Sequence, residues 1–306
     1  MNEIAGILVN LGAPDAPTAA AASAFLREFL SDKCVINLPW PLRFLIARKA
    51  SKNRAQAYAQ ALEKIFVDGR HPMKSSMDAL AEKVERLCGF PVRASYRYGG
   101  KNISQTIVEL KRLGAERFAV ACMYPQSTLS TTHSAKLKIA EAMGRNRYAL
   151  AREYFDNPLY IESLACGAAR GCECLMVAFH SVPVSHDKDG EYRRQCAETA
   201  RLLAQRLGAR KSCVAYQSQM GKGTWIGPKA DEKAGELASG GVKELTVSPA
   251  SFACECSETI DELGGKLRGV FLESGGQRFN LLPCPGASDA AAKLAAQLLT
   301  QQASYL

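Results

Sequence analysis

His180 and the glutamates Glu255, Glu258 and Glu262 are the residues of this chain whose types and spacing could bind a metal ion or move a proton. Imidazole is both the usual proton acceptor near neutral pH and a common metal ligand. Combined with carboxylates it suits ferrous iron, zinc or cobalt, whereas an all-oxygen set would favour magnesium or calcium. His180 follows the apolar run Leu175 to Phe179 and precedes a loop containing Pro183, so it stands where a strand gives way to a turn. A hydrogen-bonded structural histidine is the other reading. The segment Glu255 to Glu262 (ECSETIDE) predicts the opening of a helix with Cys256, Ile260, Leu263 and Leu267 on its apolar face. Spacings of three and four put the three glutamates on one ridge near the helix N-terminus. A solvated acidic first turn, favoured by the helix dipole, would look the same. His133 and His186 stand singly in polar loops and read as surface residues.

Short apolar strands alternating with amphipathic helices must position these groups. Ile4 to Asn10 predicts a buried strand that stops at Gly12 and Pro14, and Thr18 caps a helix over Ala19 to Leu30. Helices near Arg54 to Phe66 and Met73 to Cys88 lead to a strand over Val92 to Tyr98. Asn102 with Gln105 forms a capping box ahead of a helix, and Arg117 to Met123 is a further buried strand. Asn157 and Pro158 open the second half, which repeats the rhythm. Its strands are Leu175 to Phe179, Ser212 to Tyr216, Glu244 to Val247 and Phe279 to Leu282, with a helix from Tyr192 to Leu207. The expected architecture is α/β, with two similar Rossmann-like doubly wound domains, 1–150 and 151–306, the second carrying the His/Glu site.

Ligands of open parallel sheets bind beyond the carboxyl ends of the strands. The residues there are polar and aromatic: Asn10 with Gly12, Arg97 with Tyr98, Tyr124 with Gln126, His180 with Ser181, Gln217 with Ser218, and Ser248 with Ser251. The first turn, NLGAP, lacks GxGxxG, and no GxxxxGK[ST] occurs, so nucleotide binding has no motif behind it.

Composition narrows the class. The 306 residues are 47% hydrophobic and 23% charged, ordinary for a globular protein. No window approaches the roughly 20 apolar residues of a spanning helix, and Met1 to Gly12 has no signal-peptide form, so a cytoplasmic location is expected. The net charge of +9 is spread without the Lys/Arg blocks that would suggest nucleic acid. It would favour an anionic membrane face or a substrate bearing carboxylates. Leu38 to Lys49 (LPWPLRFLIARK), apolar and then basic, would suit peripheral contact with lipid; core or loop packing is the alternative. Eleven scattered cysteines without a CxxC argue against an iron–sulfur cluster and for small buried side chains.

Taken in order, VNLGAPDAPT, FLREFLSD, YRYG, YPQ with STT, FHSVP, YQSQ, W-x-G-P-x-x-DE and C-x-E-T resemble the ferrochelatase family, the last enzymes of haem synthesis, across nearly the whole chain. The resemblance implies a Rossmann-like two-domain fold with a porphyrin cleft between the halves, a lyase-type metal chelatase, and insertion of ferrous iron into protoporphyrin IX to form haem. Two pyrrole N–H protons must leave before a dication enters, and bending the macrocycle exposes its nitrogen lone pairs. The family's motif histidine falls on His180, implied as proton acceptor and metal ligand. Its motif glutamate falls on Glu258, with Glu255 and Glu262 as a path for metal or protons. Leu11, Arg97, Tyr98, Tyr124, Ser130 and Trp225 are implied to bind the porphyrin: Trp225 by its aromatic face, Arg97 as a cation for the propionates or the site's field. Iron is then a substrate, and no cofactor is required.

Several positions depart from the family pattern. His71 stands for a frequent Ser, Ser127 for a Tyr, His133 for a Gly and Gln219 for an Arg. Lys229 with Ala230 replaces a Tyr-Thr pair, Ala50 an expected arginine, and Cys254 interrupts the Phe-to-Glu stretch. These changes leave open a related chelatase using another metal or coproporphyrin, and a porphyrin- or haem-binding protein that inserts no metal.

Overall fold

A computed structural model describes residues 3–219 and 223–306. The chain divides into two compact units, 1–123 with 129–153 and 292–306, and 124–128 with 154–291.

The first unit contains β1 (Ile4–Asn10), α1 (Ala19–Leu30), α2 (Trp40–Ile65), α3 (Pro72–Cys88), β2 (Val92–Tyr96), α4 (Ile103–Arg112), β3 (Arg117–Cys122), α5 (Ser134–Met143) and β4 (Arg147–Leu150). Its sheet is parallel, in the order β2-β1-β3-β4. β1 lies second in the sheet and is buried from Ala5 onward, as the unbroken apolar run predicts. The Asn102–Gln105 capping box at the start of α4 is present in both directions. Gly12 has φ +97°, and a Cβ there would fall 1.7 Å from the carbonyl oxygen of Tyr98. Only glycine lets the loop after β1 pass so close to the end of β2. The short edge strand β4 carries no apolar run, which is why periodicity does not reveal it.

The second unit contains α6 (Pro158–Leu164), β5 (Cys174–His180), α7 (Glu191–Leu207), β6 (Lys211–Gln217), α8 (Ala230–Ser239), β7 (Glu244–Pro249), a π-helix (Glu258–Leu267) running into α9 (Arg268–Glu273), β8 (Arg278–Leu281), and the start of α10 (Asp289–Ala303). Its sheet is parallel in the order β6-β5-β7-β8, the same layout as the first. Cys174, Met176 and Ala178 of β5 pack with Leu245 and Val247 of β7, under Ala230, Ala234 and Ala238 of α8 and Leu263 and Leu267 of the π-helix.

The division is more interleaved than a cut near residue 150. Most of α10 belongs with the first unit: Leu299 packs over Gly6 of β1, and the Cys88 thiol donates to the carbonyl of Ala296. Two arginines, Arg117 and Arg147, donate to the terminal oxygen of Leu306 at 3.0 and 2.8 Å.

α2 begins at Trp40, well before the expected Arg54, because Ala47, Ser51, Ala55, Ala59 and Leu62, mostly four apart, make a narrow buried stripe of small residues. Its first turns are not packed into a core. Leu38, Trp40, Leu42, Phe44, Leu45 and Ile46 are exposed, Trp40 at 66% and Leu45 at 60%. Among the described residues no helix is long and apolar enough to cross a membrane.

Candidate active site

His180 is the last residue of β5 and lies in register with Gln217, the last of β6. Alternation along the strands carries the buried row Cys174, Met176 and Ala178 on to His180, and Cys213 and Ala215 on to Gln217. Both side chains therefore lie on the sheet face covered by the π-helix, and the Gln217 amide donates to the carbonyl of Glu258 at 3.3 Å. Its side-chain oxygen is buried and has no hydrogen-bond partner.

The imidazole orientation follows from one contact. Nδ1 lies 2.6 Å from the carbonyl oxygen of Ser181. A carbonyl only accepts, so Nδ1 carries the hydrogen, and in the neutral ring the lone pair is on Nε2. The ring of Phe252 lies beside it, centroids 6.3 Å apart.

The glutamate segment differs from the expected α-helix. Its i→i+5 turns are wider, so residues four apart fall nearly into line. Thr259, Leu263 and Leu267 make the buried row, while Ile260, expected inside, is exposed. Glu258 and Glu262 share the adjoining row with Lys266. Glu258 accepts from the Ser257 hydroxyl at 2.8 Å, and Glu262 from the Ser218 hydroxyl at 2.6 Å. Ser218 holds that position at φ +63°, a backbone region unusual for a non-glycine residue.

Burial raises the Glu262 carboxyl above its ordinary pKa; the Ser218 hydrogen bond opposes this, the charge of Glu258 adds to it, and His180 and Lys266 oppose it. His180, Glu258 and Glu262 thus share one electrostatic neighbourhood. A cavity of about 320 Å³ adjoins it, lined by Gln217, Ser218, Glu262, Lys266 and Asp231 among others.

Glu255 is not on this row. It precedes the helix, and its carboxylate accepts from the Thr259 hydroxyl and, at 2.7 Å, from the backbone N–H of Cys284. A ridge through all three glutamates would require α-helical turns beginning at Glu255; the chain there is still a loop. Among the described residues no group of three or more His, Cys, Asp or Glu side chains is arranged to hold a metal ion.

Trp225 is half-buried beside the His180 loop. It pairs antiparallel with Pro183, flanked by hydrogen bonds Val184 N to Thr224 O and Ile226 N to Val182 O, both 3.0 Å. Tyr124 is buried just after β3. In the first unit, Leu11, Arg97 and Tyr98 come together: the Arg97 and Tyr98 amides donate to the carbonyls of Asn10 and Leu11 at 2.9 and 2.8 Å.

The Arg97 guanidinium is paired with Asp32, donates to Ser134 at 2.8 Å and lies over the Tyr98 ring. Tyr98 is 1% exposed and donates to Asp32 at 2.7 Å, so here it supports the carboxylate and presents no surface of its own. Ser130 lies half-buried in a short π-helical turn, Leu129–His133. Of the other histidines, His133 is exposed; His186 is half-buried, and burial lowers its pKa.

Sequence reasoning missed Asp32, Ser134 and Tyr192. Asp32 ends the FLREFLSD motif, a signal that was available; Tyr192 reads as an ordinary apolar position of α7.

The ferrochelatase family model matches residues 3–303. The chain is 33% identical to the ferrochelatase of Aeromonas hydrophila subsp. hydrophila over 319 residues, covering 97% of each chain. It is 32% identical to that of Ectopseudomonas mendocina, covering 93% of this chain and 94% of the relative.

The chain belongs to the ferrochelatase family.

Its reaction is accordingly the insertion of ferrous iron into a porphyrin to make haem, a lyase-type chelation. Solved chelatases share the fold. SirB from Bacillus subtilis with Fe3+ superposes with a TM-score of 0.60 at 12% identity, covering 99% of this chain and 96% of that one. The sirohydrochlorin chelatase SirB in complex with cobalt gives 0.61 at 10%, with the same coverage. At such identities the likeness is one of architecture.

Proposed function

We propose that His180, through Nε2, accepts the pyrrole protons and meets the incoming iron, while Glu258 and Glu262 carry metal or protons between it and solvent. The observation behind this reading is the bond from Nδ1–H to the carbonyl of Ser181, which makes Nε2 the nitrogen that takes up and releases a proton. A porphyrin offers two N–H protons and four nitrogen donors. A neutral base on one face of the ring lowers the barrier to losing those protons as the dication binds.

Trp225, Tyr124, Leu11 and Ser130 are the groups that would contact the macrocycle. Arg97 and Tyr98 would act through Asp32 and Ser134, since the guanidinium is already paired. Ferrous iron enters as a substrate and the protein needs no resident cofactor.

The protein works in the cytoplasm, peripheral to a membrane. The exposed Trp40, Leu42 and Leu45, next to Arg43, Arg48 and Lys49, support contact with an anionic lipid surface.

Anaerobic spectroscopy tests the reaction. With protoporphyrin IX and ferrous iron, the porphyrin bands collapse into a haem spectrum over many turnovers. Binding without metallation would overturn this reading in favour of a carrier. Turnover only with coproporphyrin, or only with cobalt or nickel, would reassign the substrate.

A further inference from the structure

The aim of Nε2 depends on more than the Ser181 contact, because that bond ties the ring only to its own backbone. In β5 the even-numbered residues turn N–H and C=O toward β7, where the ladder's last bond is Ala250 N–H to Ala178 O at 3.0 Å. β7 ends at Pro249, so both peptide groups of His180 face a strand that is no longer there. Left unpaired beneath the fold, each would be costly.

Side chains take both places. The His180 N–H donates to the Ser251 hydroxyl at 2.9 Å, and the Tyr192 hydroxyl donates to the His180 carbonyl at 2.7 Å. The two hydroxyls are themselves 3.5 Å apart. Tyr192 is anchored in turn, since its backbone N–H donates at 2.7 Å to Asp187, a buried carboxylate that also holds Arg193 at 2.8 Å. The loop leaving His180 therefore closes back on His180 twelve residues later.

Resting on the function proposed above, we infer that Tyr192 and Ser251 are positioning residues for metal insertion, fixing the His180 peptide so that Nε2 points at the reacting ring. Neither hydroxyl touches substrate in this account. A residue that acts only by satisfying buried peptide groups would change stability and leave turnover per folded molecule intact. A positioning residue changes the chemical step while ground-state binding stays the same.

The test compares the full-length protein with Tyr192→Phe, Ser251→Ala and Ser251→Thr, measuring anaerobic metallation of protoporphyrin IX by ferrous iron and thermal melting. Expected is a kcat lower by about ten-fold in Tyr192→Phe and Ser251→Ala, the order usual for groups that orient a ligating histidine. KM for porphyrin and iron should be unchanged, and Ser251→Thr, which keeps the hydroxyl, should recover most of the rate. Wild-type kcat in folded Tyr192→Phe and Ser251→Ala would overturn the inference, as would a Ser251→Thr no better than Ser251→Ala. A wild-type protein that does not metallate would overturn the functional reading and this inference with it.

Discussion

Glu258 and Glu262 stand in line on a π-helix, whereas Glu255, three residues before Glu258, is turned away to hold the backbone N–H of Cys284 at 2.7 Å. Three carboxylates that share one spacing pattern thus sit in two different environments. Glu255→Gln should destabilise the fold by about 1 kcal/mol, the usual net worth of a hydrogen bond weakened at a part-buried site. Its KM for iron should match that of the parent. Urea unfolding alongside iron titrations checks both, and a raised KM for iron with unchanged stability would return Glu255 to the metal path.

Replacing His180 with Ala removes Nε2 and leaves the rest of the clamp. Turnover should fall by roughly 10²–10⁴-fold, the range of a lost general base. Porphyrin binding, followed by fluorescence quenching, should persist. Retained turnover would remove the proton-acceptor assignment.

Asp32 provides a pH test in the first unit. Burial alone would raise its pKa, but the Ser134 hydroxyl, the Cys34 N–H, the Tyr98 hydroxyl and the Arg97 charge together hold it below the usual carboxylate range. A carboxyl whose folded pKa is depressed adds stability above its unfolded pKa and loses it as pH falls through the folded value. Asp32→Asn should therefore melt lower than the parent at pH 7. The gap should narrow steadily as pH drops below about 4. A gap independent of pH would show that shape and packing at Asp32, not its charge, stabilise the unit.

The exposed apolar turns at the start of α2 predict lipid binding. Trp40→Ser combined with Leu45→Ser should sharply reduce cosedimentation with vesicles containing anionic lipid, and leave solution turnover with a dispersed porphyrin near the parent value. Salt should weaken the parent's binding too, since Arg43, Arg48 and Lys49 flank the patch. Equal cosedimentation of parent and variant would exclude this patch as the contact.

How much of this was legible in the amino-acid order depends on which forces are local. The runs Ile4 to Asn10 and Leu175 to Phe179 announce parallel strands, because both faces of such strands are covered and, up to the polar residue that ends each one, the positions are apolar. The Asn102–Gln105 box and the Asn157–Pro158 start were readable for the same reason: caps are set by residues within one turn. His180 and Glu258 stood out as candidates by residue type and by position at the end of a strand and the start of a helix.

Tertiary structure decided the rest. Whether ECSETIDE winds with α- or π-helical turns depends on what the buried row packs against, so the exposure of Ile260 and the isolation of Glu255 could not be read from spacing. Likewise, Leu38 to Ile46 is as apolar as a core segment; only the fold, which buries the small residues from Ala47 onward, leaves it uncovered. The pairing of Arg97 with Asp32 spans 65 residues, and the bond from Tyr192 to His180 depends on where β7 stops. Residue types and local spacing thus determined most of the strands, the caps and the two groups proposed to do the chemistry. The direction in which those groups point comes from hydrogen bonds between residues brought together by the packing of helices on each sheet, which sequence spacing does not encode.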